Sequence, residues 1–319
     1  MAGVRVYRWD LDKTYLLTEF DRLRDLWRVA TEPATAKQSV PGAAPLLRGL
    51  GSLERKPAAR IYMLSGSPLQ MRPVLEEKLR LDGVRVDTLV LKDSLGNLRR
   101  GRLRAVRGQF GYKLPSLLWA RVGLGRAVRE TCFGDDAEVD ALVYSVYADA
   151  VAGRVASDQL ARILEAAGAY PDAIADATEA LRRVGQADVV DRIFIRRARG
   201  RPASVFAPLG TRVFAVTSWL EAAIVLYGAG ELDVGSVEAV RAACALEGPP
   251  LVALFEGLLA RGWVVDLAMQ RMLDTIAEYG PAWEVCRPAL ARGGHVYVPP
   301  APPSACDYVE LVQAFAQRG

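Results

Sequence analysis

The chain has 319 residues, 51% of them hydrophobic, and a net charge of +4. That is enough apolar material for one large domain or two smaller ones with a substantial core, and it excludes a disordered chain. Four cysteines without any C-x-x-C spacing and a single histidine, His295, leave almost no material for a zinc site, a disulfide framework or a histidine triad. Hydrolytic chemistry would have to rest on carboxylates.

The N-terminus lacks a charged-then-apolar signal pattern. Residues 4–16 open with a short run that alternates apolar and polar side chains, the signature of a strand. At its end stand Asp10 and Asp12, with Leu11 turned toward the core and Thr14 close behind. Two acids converging on a small space repel, so they need a cation, a proton or both. A hydroxyl beside them suits phosphate recognition, although the same pattern also fits a loop with an Asx turn. A helix is predicted over 18–30, ended by Pro33, and a short one after Pro41-Gly42 carries Ala44, Leu46, Leu47 and Leu50.

A buried-looking strand at 60–64 runs into Ser65-Gly66-Ser67-Pro68. Ser67 reads as the cap of a helix whose first residue is Pro68; that helix extends to about Asp82 and bends at Pro73. Ser65, at a strand end just before a helix, is a phosphate-contact candidate, with a capped turn as the alternative. A strand at 86–91 leads into an arginine-rich stretch, Arg99 to Arg107, and then to Gly111-Tyr112-Lys113 at the start of a helix. A second arginine cluster runs from Arg192 to Arg201. Either cluster would attract anions or form a solvated surface.

The strand at 130–133 empties into Gly134-Asp135-Asp136-Ala137-Glu138-Val139-Asp140, where another helix begins. The helix dipole and an Asp135–Glu138 capping box explain one acid there, not several behind a glycine. The alternation of strands and helices predicts an α/β fold, a doubly wound and mostly parallel sheet with right-handed crossovers. In such sheets ligands bind outside the strand C-termini. Asp10, Asp12, Ser65 and Asp135 fall at those ends, and Lys113 opens a helix on the same side.

Taken in order, Asp10-Leu11-Asp12-Lys13-Thr14, Leu64-Ser65-Gly66-Ser67-Pro68, Lys113, and Gly134-Asp135-Asp136 with Asp140 resemble the four motifs of the haloacid dehalogenase superfamily of phosphotransferases. Within it, the second and fourth motifs look nearest to the actin-patch phosphatidate phosphatase catalytic-domain family. The resemblance covers residues 1–152 and resumes at 192–196. Lys13 stands where that family usually has a third acid, and Asp136 where it has a serine.

The resemblance implies a haloacid dehalogenase-like Rossmannoid and a magnesium-dependent phosphatase. Asp10 would be the nucleophile, forming an aspartyl phosphate, and Asp12 the acid and base, which requires a raised pKa. Mg2+ would be held by Asp10, the Asp12 backbone carbonyl and Asp135. Thr14, Ser65, Gly66 and Lys113 would bind the phosphate, while Asp136 and Asp140 orient metal-bound waters. Neither interval where superfamily members carry a cap is long enough for a large lid. An open site would favour a bulky phosphorylated substrate: a phosphatidate-like lipid, a phosphoprotein or a nucleic-acid end. The alternative is a catalytically silent phospho-ligand or protein-binding module on the same fold.

Further on, helices at 157–167 and 172–184 read as an insertion before strands at 191–195 and 212–216, and a helix at 218–227 closes a domain spanning 1–230. From 231 to 319 the apolar spacing is helical, with a rigid extended spacer at Pro299-Pro300-Ala301-Pro302-Pro303. This region reads as a helical accessory domain that packs on the core or binds a protein partner. No stretch of about 18 uncharged apolar residues occurs, so a soluble, cytoplasmic protein is expected.

Overall fold

The computed structural model describes residues 4–17, 33–52, 59–92 and 108–317. Among them, β1 (Arg5–Asp10), β2 (Arg60–Pro68), β3 (Thr88–Lys92), β4 (Arg129–Asp135), β5 (Val190–Arg196) and β6 (Val213–Val216) form one sheet in the order β3-β2-β1-β4-β5-β6. Every pairing is parallel. The chain builds outward from β1 in one direction and then from β4 in the other. The strand order therefore reverses between β1 and β4, where an α/β sheet opens a crevice at its C-terminal edge.

Along the chain the helices are α1 (Ala43–Leu50), α2 (Arg72–Leu81), α3 (Phe110–Arg121), α4 (Asp140–Val151), α5 (Ser157–Ala166), α6 (Pro171–Arg183), α7 (Trp219–Gly228), α8 (Val234–Ala243), α9 (Gly248–Ala260), α10 (Asp266–Ile276), α11 (Arg287–Ala291) and α12 (Tyr308–Gln317). Because strand side chains alternate between faces, the sheet presents two apolar surfaces. Tyr7, Trp9, Ile61, Met63, Phe133 and Phe194 pack under α1, α2 and α7 to α11. Cys132, Ile193, Ile195 and Ala215 pack under α3 to α6 and α12. On the first surface aromatic rings run across four neighbouring strands: Trp9 stacks on Phe133 at 4.2 Å, Phe133 on Phe194 at 5.3 Å, and Phe194 lies 5.1 Å from Phe214. Offset ring pairs of this kind add about 0.5–1.5 kcal/mol each beyond the area they bury.

The polar residues alternating through β1 suggest a half-solvated strand, yet Arg8 is only 2% exposed. Its guanidinium meets Glu130 of β4 through bonds of 2.6 and 3.0 Å, and Arg121 and Tyr147 bind the same carboxylate at 3.0 and 2.7 Å. Burial opposes the Glu130 charge, but Arg8, Tyr147 and Arg121 outweigh it and hold the carboxyl below its ordinary pKa. A paired charge network thus occupies a position that the pattern assigns to solvent.

Other expectations change at element boundaries. β2 continues through Pro68, so Ser67 is a strand residue and not a helix cap, and α2 begins at Arg72. Pro73 consequently lies in the first turn of α2, where its missing N–H breaks no helical bond and no bend is needed. Likewise α4 begins at Asp140, beyond the expected Asp135–Glu138 capping box. The helix predicted over 18–30 and the arginine-rich stretch at 99–107 lie outside the described residues.

The boundary expected near residue 230 is not a boundary in the packing. Val237, Phe255, Met272 and Leu290 belong to the same apolar cluster as Trp9 and Ile61. Gly42 shows how closely α8 approaches: its φ is +82°, and a Cβ there would sit 2.7 Å from Cys244 Sγ and 3.2 Å from Val240 Cγ1. Gly42→Ala is expected to cost about 1–3 kcal/mol through backbone strain and overpacking, read as a lowered urea midpoint.

The proline-rich spacer runs along the start of β6, where Arg212 N–H donates to Ala301 O at 3.0 Å and Ala301 N–H to Thr211 Oγ1 at 2.9 Å. It carries the chain from α11, on the aromatic side, to α12 on the other. There Tyr308 donates to Asp149 Oδ2 at 2.5 Å. All four cysteines are free thiols, and no helix among the described residues is long and apolar enough to cross a membrane.

Candidate active site

β1 ends at Asp10, and the chain turns back sharply: the N–H groups of Tyr15 and Leu16 both donate to Leu11 O, at 3.0 and 2.9 Å. Lys13 takes a φ of +60°, a left-handed conformation that costs a non-glycine residue roughly 1–2 kcal/mol. Two long-range bonds hold the turn. Arg196, at the end of β5, donates to Lys13 O at 2.5 Å, and Trp219 Nε1–H donates to Thr14 O at 3.2 Å.

Across the crevice, Asp10 of β1, Asp135 at the end of β4 and Asp140 at the start of α4 each bring a carboxylate oxygen within 4.8 Å of the others. All three are buried. Gly134 makes this approach possible, because a Cβ there would lie 2.6 Å from Asp140 Oδ2. Lys113 reaches in from α3 with no exposed surface, its Nζ 2.6 Å from Asp10 Oδ1, 2.5 Å from Asp140 Oδ1 and 2.8 Å from Glu138 Oε2. Burial opposes its charge, but Asp10, Asp140 and Glu138 prevail and raise its pKa well above the usual lysine value.

The carboxylates differ in how well they are satisfied. Asp135 Oδ2 accepts from Thr14 at 2.9 Å, and its Oδ1 accepts from the N–H groups of Ala137 and Glu138 at 2.6 and 3.3 Å. Asp140 Oδ2 accepts from Asp135 N–H at 3.2 Å. Asp12 faces the end of β2, accepting from Ser65 Oγ at 2.7 Å and Ser67 Oγ at 3.1 Å. Asp10 is the exception: apart from the Lys113 ion pair, neither oxygen has a hydrogen-bond partner among the described residues. Burial drives its pKa up more than Lys113 draws it down, and Asp140, Glu138 and Asp135 push in the same direction.

Several sequence-derived roles shift with this geometry. Asp12 has its pKa raised, chiefly by burial and then by Glu138, rather than by Asp10. Asp140, expected only to orient waters, is part of the carboxylate cluster itself. Asp136 turns away: its oxygens accept from the N–H groups of Arg199 and Arg201 at 2.6 and 2.9 Å and so fix the turn after β5. The Thr14 proton goes to Asp135 and the Ser65 proton to Asp12. Gly66 lies against the amide of Gln109, which would be 3.4 Å from a Cβ placed there. Ser67 and Glu138 join the site, although the sequence assigns both to helix caps. A two-residue spacing on a strand running to Pro68 is the signal for Ser67, since Ser65 and Ser67 then share a face. In the second arginine cluster, Arg192 binds Glu231, Arg196 binds Lys13 O, Arg197 binds Arg201 O and Arg201 covers Phe315.

Oxygen-only donors with more negative charge than one ammonium offsets suit a hard divalent cation, and the Asp10 oxygens, met among the described residues by Lys113 alone, fit that use. A divalent cation such as Mg2+, if held there at a hundred times its Kd, would stabilise the fold by about 2.7 kcal/mol and raise the unfolding midpoint by roughly 5 °C. Burial, then Asp140 and Glu138, push the Asp135 pKa from 3.8 up to about 7. The metal-free fold therefore loses stability as pH rises through that interval, because the buried acid must ionise, and protons compete less with the cation. The shift should be larger at pH 8 than at pH 5.5. An equal shift in Asp135→Ala, followed by differential scanning fluorimetry, would place the ion elsewhere.

Comparison with protein-family models, curated proteins and solved structures finds no match.

Proposed function

We propose that this protein is a magnesium-dependent phosphomonoester hydrolase of the haloacid dehalogenase type. The observation that carries the reading is Asp10: a buried carboxylate at the strand-order reversal that, among the described residues, is met only by the Lys113 ammonium and stands beside two further acids. The resemblance of the four motifs supports it.

Asp10, Asp135 and Asp140 would hold Mg2+, which when bound offsets negative charge on the phosphoryl oxygens. An Asp10 oxygen attacks phosphorus while the bond to the leaving oxygen breaks. Asp12, whose pKa is raised chiefly by burial, delivers a proton to the departing oxygen. Asp12 then takes a proton from water as the water attacks the aspartyl phosphate, releasing orthophosphate and restoring Asp10. Lys113 keeps Asp10 oriented, and the Ser65 and Ser67 hydroxyls fix Asp12. The substrate would be a bulky phosphate ester, with lipid, phosphoprotein and nucleic-acid ends as the candidate classes.

A catalytically silent phospho-ligand-binding module is the second reading. The number of acids at this rim disfavours it, because binding a phosphate anion gains nothing from Asp12 in addition to the Asp10, Asp135 and Asp140 cluster. Purified protein should release p-nitrophenol from p-nitrophenyl phosphate with Mg2+ and not with EDTA. Tight phosphate binding with no turnover on any of the three substrate classes would favour the silent module.

A further inference from the structure

Gln109, Tyr112 and Lys113 stand at i, i+3 and i+4 where α3 begins, so they share one face of that helix turn. Lys113 shows where that face points, since it meets Asp10 and Asp140. The other two carry atoms with no assigned use. Gln109 Oε1 and Tyr112 Oη are buried and have no hydrogen-bond partner among the described residues. Buried polar atoms are almost always paired, so two on one helical stripe call for a reason.

Their surroundings supply one. The Gln109 amide lies over Gly66, between the two serines that hold Asp12. The charges acting on the Tyr112 hydroxyl include Lys113, Asp10, Asp12 and Arg72, and the Lys92 ammonium sits 5.5 Å above its ring. Burial pushes the phenol pKa upward, so it remains a neutral donor at any working pH. The Gln109 amide thus flanks the Asp12 side of the crevice, where the leaving group of a phosphate ester would lie if Asp12 is the proton donor, and Tyr112 stands one turn along the same helix face.

We propose that Gln109 and Tyr112 recognise a hydroxyl on the leaving group, close to the ester oxygen, and so select phosphate esters of polyols, sugars or nucleosides over plain alkyl esters. A hydroxyl fits this pair of groups: its oxygen accepts from Tyr112 and its proton goes to Gln109 Oε1. The inference rests on the phosphatase reading and narrows its substrate class. A phosphate ester whose neighbouring hydroxyls are acylated would leave both atoms unpaired.

The test compares glycerol 3-phosphate with n-propyl phosphate, which differ only in the two hydroxyls. Wild-type kcat/KM should favour the glycerol ester by about 10-fold or more, and the ratio should fall toward one in Tyr112→Phe and in Gln109→Leu. A ratio near one in the wild type, or a full ratio retained in both variants, would overturn the proposal while leaving the phosphatase reading standing. Calorimetric binding of the same two esters to Asp10→Asn separates the two ideas further. Preference for the glycerol ester without turnover in the wild type supports hydroxyl recognition and removes the phosphatase reading; no binding and no turnover removes both.

Discussion

Asp10→Asn should lower magnesium-dependent turnover of p-nitrophenyl phosphate by about a thousandfold or more, the scale seen when a nucleophile is removed from a site that otherwise survives. The amide oxygen carries no charge with which to attack phosphorus, and no other described carboxylate is equivalent. Asp12 is held by two serine hydroxyls, and Asp135 and Asp140 already accept backbone hydrogen bonds. Stability should move the other way or stay constant. Neutralising a buried acid relieves repulsion with Asp135 and Asp140, while Lys113 keeps Asp140 and Glu138 as partners. Single-turnover kinetics beside a thermal melt checks both halves. Retention of a tenth of the activity in a folded variant would mean that Asp10 is not the nucleophile.

Lys113→Met should be the most destabilising single change at this rim, at about 3–5 kcal/mol near pH 8. It leaves a set of buried carboxylates without their ammonium. The loss should depend on pH. The Asp10, Asp135 and Asp140 carboxyls already bind protons more readily in the folded protein than in the unfolded chain. Without Lys113 that preference grows, so acidification protonates the cluster and returns stability as pH falls from about 7 toward 4. Urea midpoints at pH 8 and pH 5 read this directly, and Mg2+ should partly rescue the variant at the higher pH. An equal deficit at both values would assign the effect to lost packing instead of charge.

How much of this could be seen in the residues alone differs from element to element. The strands β1, β2 and β4 stand out because their apolar runs are followed by acids or glycine at the C-terminal end. Ser67 was harder, since Ser-Pro is also the start of a helix; only pairing of Pro68 with Lys92 shows that the strand continues. Asp135 and Asp136 look alike in sequence, but neighbouring side chains at a strand end point to opposite sides. One therefore joins Asp10 and the other fixes the 199–201 turn. Asp140 depends on the close pass over Gly134, a contact set by tertiary structure. Arg8 shows the limit of alternation: a charge in a strand reads as solvent-facing unless its partner, Glu130, is known to arrive from 122 positions further along. Helical spacing beyond residue 230 likewise reveals helices without revealing what they cover.

The crossing from α11 to α12 along β6 bears on how the molecule is made. Tyr308 and Val312 complete an apolar surface to which Leu142, Leu160 and Ile193, each more than a hundred positions earlier, also contribute. During synthesis those earlier segments leave the ribosome first and wait, oily and uncovered, for their final neighbour. A folding intermediate in which α12 has not yet docked therefore leaves apolar side chains open to aggregation.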